Sequence, residues 1–281
     1  MTNIVLTGGT RGIGLGMARA FLERGHRVAL CGSRADSVER ALSELSGLAG
    51  PAKSAEPAET AGSAGSAGSA GRDVLAMVAD VADRSQVQAL WDAAAGRFGR
   101  VDVWINNAGV SHRRQPLWRL PEDEVRTVVD VNLAGALNGT AVAVTGMAVQ
   151  GSGHVWNMEG LGSDGRTVPG LGVYGATKRA LTYLTRAAAK EMPPGVSIGL
   201  LSPGMVVTDL LTHDYDPQEL RRARKTFNIL ADRVETVAPW LAERAVSRAR
   251  NGAHVRWLTT GKILHRFATA PFSGRDVFGE S

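Results

Sequence analysis

The chain has 281 residues, 44% of them hydrophobic and 21% charged, a balance that excludes a disordered protein and is ample for one large core. A single cysteine, Cys31, excludes a disulfide framework and a Cys-rich zinc module, and the six histidines lack metal-ligand spacing. The formal charge is only +5, and five of the 32 basic side chains are lysines, so no general basic field points to nucleic acid.

Short β-type runs alternate with helical stretches, the pattern of a parallel α/β sheet. The run NIVLT at residues 3–7 reads as a strand. Starting so early, it leaves no room for a signal or transit peptide. No apolar run reaches the roughly 18–20 residues of a membrane span, so a cytoplasmic protein without such a span is expected. A glycine turn and a helix over 14–24 follow, then a strand over 27–31 and a helix over 37–45. Strands are predicted at 74–78, 101–106, 153–157, 196–201 and 255–258, with helices at 84–98, 122–147 and 174–191 between them. Residues 52–71 stand apart. They contain GSAGSAGSAG, with nothing bulky to bury, and read as a flexible coil inserted at the sheet's rim. Neither side of this insertion completes a sheet alone, so residues 1–281 are read as one domain.

Thr7-Gly8-Gly9-Thr10-Arg11-Gly12-Ile13-Gly14 lies between a strand and a helix. Small residues there let the backbone approach a pyrophosphate, and the helix N-terminus offers unpaired N–H groups and a positive dipole end. The end of the second strand selects the cofactor, because a carboxylate would bind a ribose 2′-hydroxyl whereas cations accept a 2′-phosphate. Here Cys31-Gly32-Ser33-Arg34 carries no carboxylate before Asp36, and Arg11 lies in the glycine loop. Two guanidiniums near one dianion favour NADPH; the alternative is two surface arginines.

Four motifs appear in order: TGGTRGIG, Asp80-Val81, Asn106-Asn107-Ala108-Gly109 and Tyr174-Gly175-Ala176-Thr177-Lys178. Together they resemble the short-chain dehydrogenase/reductase family over roughly residues 3–260. The resemblance implies a single-domain Rossmann fold, a doubly wound parallel sheet of about seven strands. It also implies that Asp80 and Val81 contact the adenine and that Asn107, Ala108 and Gly109 line the far ribose. Ser202, Pro203 and Gly204 would flank the nicotinamide. Gly8, Thr10, Arg11, Gly12, Ile13, Gly14, Ser33, Arg34, Val206 and Thr208, with Tyr174 and Lys178, complete the implied cofactor set. Relatives of this kind form dimers or tetramers, an expectation that the divergent ending at 261–281 weakens.

Tyr174 and Lys178 are four apart at a helix start, so their side chains share one face. A free phenol titrates near pH ~10, and a neighbouring ammonium lowers that value toward the working range of an acid–base group. A half-buried tyrosine beside a lysine reaching for solvent is the structural alternative. By resemblance, Asn132 holds a water in a proton relay; a locally satisfied helix asparagine is its alternative. The family's serine that bonds the substrate carbonyl is replaced by Gly160 in Asn157-Met158-Glu159-Gly160-Leu161-Gly162-Ser163. Ser163 is the nearest hydroxyl and the candidate replacement, with a loop serine of no catalytic role as the alternative.

NMEGLGSDGRTVPGLGVYGATK, SPGMVVTDLL, VDVWINNAG and FNILADRVETVA resemble one branch of the family, the chlorophyll(ide) b reductases. That implies NADPH-dependent reduction of a C7 formyl to hydroxymethyl on a large apolar tetrapyrrole. Met158, Leu161, Met205, Val206, Leu210 and Leu211 would then line the substrate cleft, with a rim cation from Arg113, Arg114 or the patch Arg221, Arg222, Arg224 and Lys225. A ketone or 3-oxoacyl reductase is one alternative. A non-catalytic NADPH-binding regulatory protein is another, supported by the missing serine and opposed by the intact Tyr174–Lys178 pair.

Overall fold

In the computed structural model, which describes residues 1–48, 67–71, 73–212, 215 and 217–279, the run NIVLT forms β1 (Asn3–Thr7), buried at every position. An uninterrupted apolar strand of this kind belongs in a parallel sheet covered on both faces. In chain order there follow α1 (Gly12–Glu23), β2 (Arg27–Gly32), α2 (Ala35–Ser46), β3 (Ala67–Ala70), β4 (Val74–Val78), α3 (Arg84–Phe98) and β5 (Val103–Asn106). Helices α4 (Glu122–Val129) and α5 (Gly135–Gln150) are joined by a π-helical turn, Asp130–Ala134. Next come β6 (Gly153–Met158), α6 (Gly172–Ala188), β7 (Val196–Ser202), β8 (Met205–Val207), α7 (Asp209–Thr212) and α8 (Pro217–Leu230). The chain closes with β9 (Ala231–Arg233), α9 (Val234–Ser247), β10 (His254–Arg256) and α10 (Thr260–Thr269).

Seven strands run parallel in the order β10-β7-β6-β5-β1-β2-β4, the doubly wound arrangement expected. From β1 the chain winds outward to β2 on one side, and β5 begins the other half. The topological switch, and with it the ligand crevice of such sheets, therefore lies at the carboxyl ends of β1 and β5. Two apolar layers cover the faces. One contains Leu6, Phe21, Ile105, Trp156 and Leu241; the other contains Val5, Leu90, Trp104, Met147 and Ile198. A buried polar chain crosses between strands: Trp104 Nε1 donates to Asn106, Asn106 to Asn157 at 2.8 Å, and Asn157 to Thr185 at 2.9 Å.

The coil expected over 52–71 is corrected at its end, because 67–70 form β3, antiparallel on β4. Residues 52–66 lie outside the described residues. An edge strand is held by backbone hydrogen bonds and needs no bulky side chain, and the left-handed Gly71 (φ 67°) turns the chain between the two strands. By length and composition the continuous helix Glu122–Gln150 could cross a membrane, contrary to the reading of the apolar runs. Here its Val142, Ala143 and Met147 pack into the layer beneath Trp104 and Val155. At the divergent C-terminal end, buried Asp232 accepts hydrogen bonds from Arg266, Arg275 and Trp257 at 2.6–2.9 Å, which ties α10 and the following tail to β9.

His154 on β6 is buried, with Nδ1 2.6 Å from Ser197 Oγ and no partner for Nε2. Burial pulls its titration down to about 3. The unfolded chain binds this proton near pH ~6.5, so between those values the unfolded state holds more protons and stability falls as pH drops. His154→Gln should flatten the slope of unfolding free energy against pH between pH 4 and 6 by up to ~1.4 kcal/mol per unit. Urea denaturation across that range checks it; an unchanged slope means that folded His154 is protonated.

Candidate active site

The carboxyl ends of β1, β2, β4 and β5 open into one cleft. Its floor is shaped by glycine. Gly8 has φ 65°, and a Cβ there would lie 2.7 Å from Ala108 Cα; a Cβ on Gly14 would overlap the carbonyl oxygen of Gly8. Only bare backbone fits. Arg11 precedes α1 without a side-chain cap, and the first turn holds no acidic residue, so this helix start keeps its unpaired N–H groups. By contrast, Asp83 caps α3 by accepting from Ser85 and Gln86. The Asn107 amide donates to the carbonyls of Thr7 and Gly8, both at 3.0 Å. Thr7 Oγ1 in turn accepts from the N–H groups of Asn107 and Ala108 at 3.1 Å. The glycine loop is thereby locked to the end of β5.

Of the residues expected to hold a cofactor, Gly8, Thr10, Arg11, Gly12, Ile13, Gly14, Ser33, Asp80, Val81, Asn107, Ala108, Gly109 and Thr208 line this cleft. Val110, Val131 and Asp209 join them unforeseen, and Leu210, expected in the substrate wall, also lines it. Arg34 does not: its guanidinium donates to Asp36 at 3.0 and 2.9 Å, and the side chain is 75% exposed. Pro203, Gly204 and Val206 lie outside the lining of this cleft.

Tyr174 and Lys178 lie on α6 beyond Gly109, where a Cβ would be 3.5 Å from Lys178 Nζ. Both are buried. Nζ donates to the Met158 carbonyl at 3.3 Å and lies 5.8 Å from the Tyr174 ring centroid. The expected lowering of the phenol is corrected: burial pushes Tyr174 up to about 12. Burial likewise pulls Lys178 down to about 8, against the charge of Glu159, which raises it. A phenol that keeps its proton across the physiological range is the form that can protonate an oxyanion.

The other two expected groups are engaged elsewhere. Ser163 is buried, its Oγ accepting from the Gly160 N–H at 3.1 Å and donating to the Lys178 carbonyl at 3.4 Å. A lone pair and the proton are both engaged, so in this geometry Ser163 clasps its own loop to α6. Asn132, in the π turn, accepts from Val110 N–H at 2.8 Å and donates to Val110 O at 2.9 Å and Thr177 Oγ1 at 3.3 Å. Its side chain thus fastens the segment after β5 with both N–H protons, and one lone pair of Oδ1 stays open to a donor such as water.

Sequence reading missed His112 and Glu159. Buried His112 accepts the Tyr174 N–H at Nε2, 3.3 Å away, and so satisfies an otherwise orphaned donor in the first turn of α6. The two residues are 62 apart, so no local pattern announces the contact. Nor is the expected substrate wall formed as predicted. Met158 and Val206 belong to the core, and Met205 and Leu211 pack around Phe227. Leu161 and Leu210 are exposed, as are Leu117 and Trp118 (83%), just before Leu120, which packs against the Tyr174 cluster. Of the rim cations, Arg113 is paired with Glu124, and Arg114 stacks 4.2 Å over the Tyr215 ring.

A family model described as short chain dehydrogenase matches residues 2–57 and 51–219. The chain is 32% identical over 284 residues to a protein of Oryza sativa subsp. japonica named chlorophyll(ide) b reductase NOL, chloroplastic, covering 97% of this chain and 76% of that one. A protein of the same name from Arabidopsis thaliana is 32% identical, with 99% and 77% covered. A 3-oxoacyl-[acyl-carrier-protein] reductase of Staphylococcus aureus is 33% identical over 210 residues, with 73% and 75% covered. Among solved structures, a 3-ketoacyl-(acyl-carrier-protein) reductase from Brucella melitensis complexed with NADH superposes with TM-score 0.74 at 24% identity, covering 91% of this chain and 96% of that one. A metagenomic short-chain oxidoreductase in complex with NADP gives TM-score 0.66 at 21% identity, with 91% and 96% covered. The chloroplastic designation of the plant relatives overturns the expectation of a cytoplasmic protein. That expectation rested on a strand-like opening segment, which reports what folds rather than where a chain is sent.

Proposed function

The chain belongs to the short chain dehydrogenase family and is an oxidoreductase, and from that premise we propose that it uses NADPH to reduce the C7 formyl group of a chlorophyllide b-type tetrapyrrole to hydroxymethyl. The similarity to two plant reductases of that name, running through nearly the whole chain, carries the reading. The cleft fits a dinucleotide: its floor is bare backbone packed tightly at Gly8 and Gly14, and the uncapped start of α1 faces it. Arg11 lines the cleft and the end of β2 brings no carboxylate into it, which favours a 2′-phosphate. Arg34 would have to exchange Asp36 for that phosphate.

Bound there, NADPH would be the source of the hydride that the formyl carbon needs. Tyr174 donates its phenolic proton to the carbonyl oxygen, and the buried Lys178 ammonium stabilises the phenolate left behind. With Gly160 in place of a serine and Ser163 closing its loop, the Tyr174 hydroxyl also orients the carbonyl. Leu117, Trp118 and Leu161 offer the exposed apolar surface that a flat macrocycle needs.

The test is spectroscopic, since removing a formyl conjugated to the ring moves the pigment's absorption bands. Purified protein should convert chlorophyllide b to a product with shifted bands as NADPH, and NADH far more slowly, is oxidised. Oxidation of NADPH by small ketones or 3-oxoacyl esters with an unchanged chlorophyllide b spectrum would replace this reading by the 3-oxoacyl reductase one, which the Staphylococcus aureus relative favours.

A further inference from the structure

Glu159 follows β6 and directly precedes Gly160, the residue against the Tyr174 hydroxyl. Its side chain is only 4% exposed, and the reaction above does not use it. Oε1 accepts from Thr182 Oγ1 at 2.9 Å and Oε2 lies 2.7 Å from His254 Nε2. Thr182 is one turn beyond Lys178, and its hydroxyl is also 3.1 Å from the Lys178 carbonyl. The Lys178 ammonium donates to Met158, the residue before Glu159. The carboxylate and the ammonium are therefore fastened to the same two segments, α6 and the end of β6.

On the solvent side, His254 sits on the edge strand β10, with the Arg256 guanidinium 3.0 Å from both ring nitrogens. Arg244, Arg248 and Arg250 line the same groove. Burial pushes the Glu159 carboxyl up, but His254, the Thr182 hydroxyl and Arg256 outweigh it and hold the group below its ordinary value, as a carboxylate. Among the described residues, Glu159 is the one carboxylate whose charge acts on Lys178, and Tyr174 is the neighbouring titratable group on α6. A buried ammonium without an opposing charge loses its proton readily.

We propose that Glu159, clamped by Thr182 and His254 behind α6, is a positioning residue that keeps Lys178 charged, and with it keeps the Tyr174–Lys178 pair competent at neutral pH. The proposal rests on the reading of Tyr174 and Lys178 as the acid–base pair, but its test needs no turnover. The chain has five lysines, so 13C-lysine labelling of the full-length protein resolves them by NMR, and Lys178→Arg identifies the signal. Glu159→Gln should lower the titration midpoint of Lys178 by about 1 pH unit or more. Glu159→Asp, which keeps the charge, should return it to within a few tenths of wild type. An unmoved midpoint in Glu159→Gln, or equal shifts in both variants, overturns the proposal and makes Glu159 a packing residue. Should the Gln variant not fold, wild type labelled at lysine and glutamate decides. The Lys178 signal should carry a second step where the Glu159 carboxyl takes up its proton, and the absence of that step refutes the coupling. Failure of the pigment assay leaves this result untouched, and the reverse holds too.

Discussion

Tyr174→Phe should lower kcat for carbonyl reduction by about 10²–10⁴-fold, the contribution of a positioned general acid, while NADPH binding and thermal stability stay near wild type. The variant removes one oxygen and keeps the ring that packs with Val128 and Val173. The neighbouring hydroxyl and amide groups are already engaged. Ser163 Oγ has its proton on the Lys178 carbonyl, the Asn132 amide is bound to Val110 and Thr177, and Gly160 has no side chain. The burial that pushes Tyr174 up to about 12 also keeps it protonated at neutral pH, so wild-type activity should show no loss from phenol ionisation below pH 9. NADPH oxidation with a saturating aldehyde measures the first effect, and the rise of NADPH fluorescence on binding measures the second. More than a tenth of the wild-type rate in Tyr174→Phe would assign the proton to another group.

Gly160→Ser should damage the enzyme, although it restores the residue that the wider family carries. A Cβ at Gly160 would overlap the Tyr174 hydroxyl oxygen and lie 3.2 Å from Lys178 Cγ, and both of those side chains are buried and confined. Overpacking of this kind costs about 1–3 kcal/mol of stability. Displacing the phenol by about 1 Å costs on the order of 100-fold in turnover. Denaturant unfolding and kcat/KM together check it. A variant as stable as wild type with higher activity would mean that the Tyr174 hydroxyl has room to yield.

The strands were legible because a parallel sheet covered on both faces needs continuous apolar runs, and NIVLT, RVALC and VSIGLL are such runs. The glycine loop was legible for a similar reason: bare backbone at Gly8 and Gly14 is demanded by atoms within a few residues or at the adjoining strand end. Spacing alone also placed Tyr174 and Lys178 on one helix face. Strand β3 was not legible, since its Ala-Gly-Ser-Ala run carries no side-chain signal and is held by pairing with β4. The duties of Ser163 and Asn132 were not legible either. A hydroxyl or an amide can serve many partners, and the ones chosen, Lys178 and Val110, lie 15 and 22 residues away. The sequence by itself determined which chemical groups this protein owns and how the sheet winds. The tertiary structure alone decided which of those groups are free to react: burial raised Tyr174 where the neighbouring lysine was expected to lower it, and it set Glu159 and His112 behind the helix that carries both. Desolvation and long-range hydrogen bonding depend on what surrounds a side chain, and those surroundings exist only once distant segments have packed.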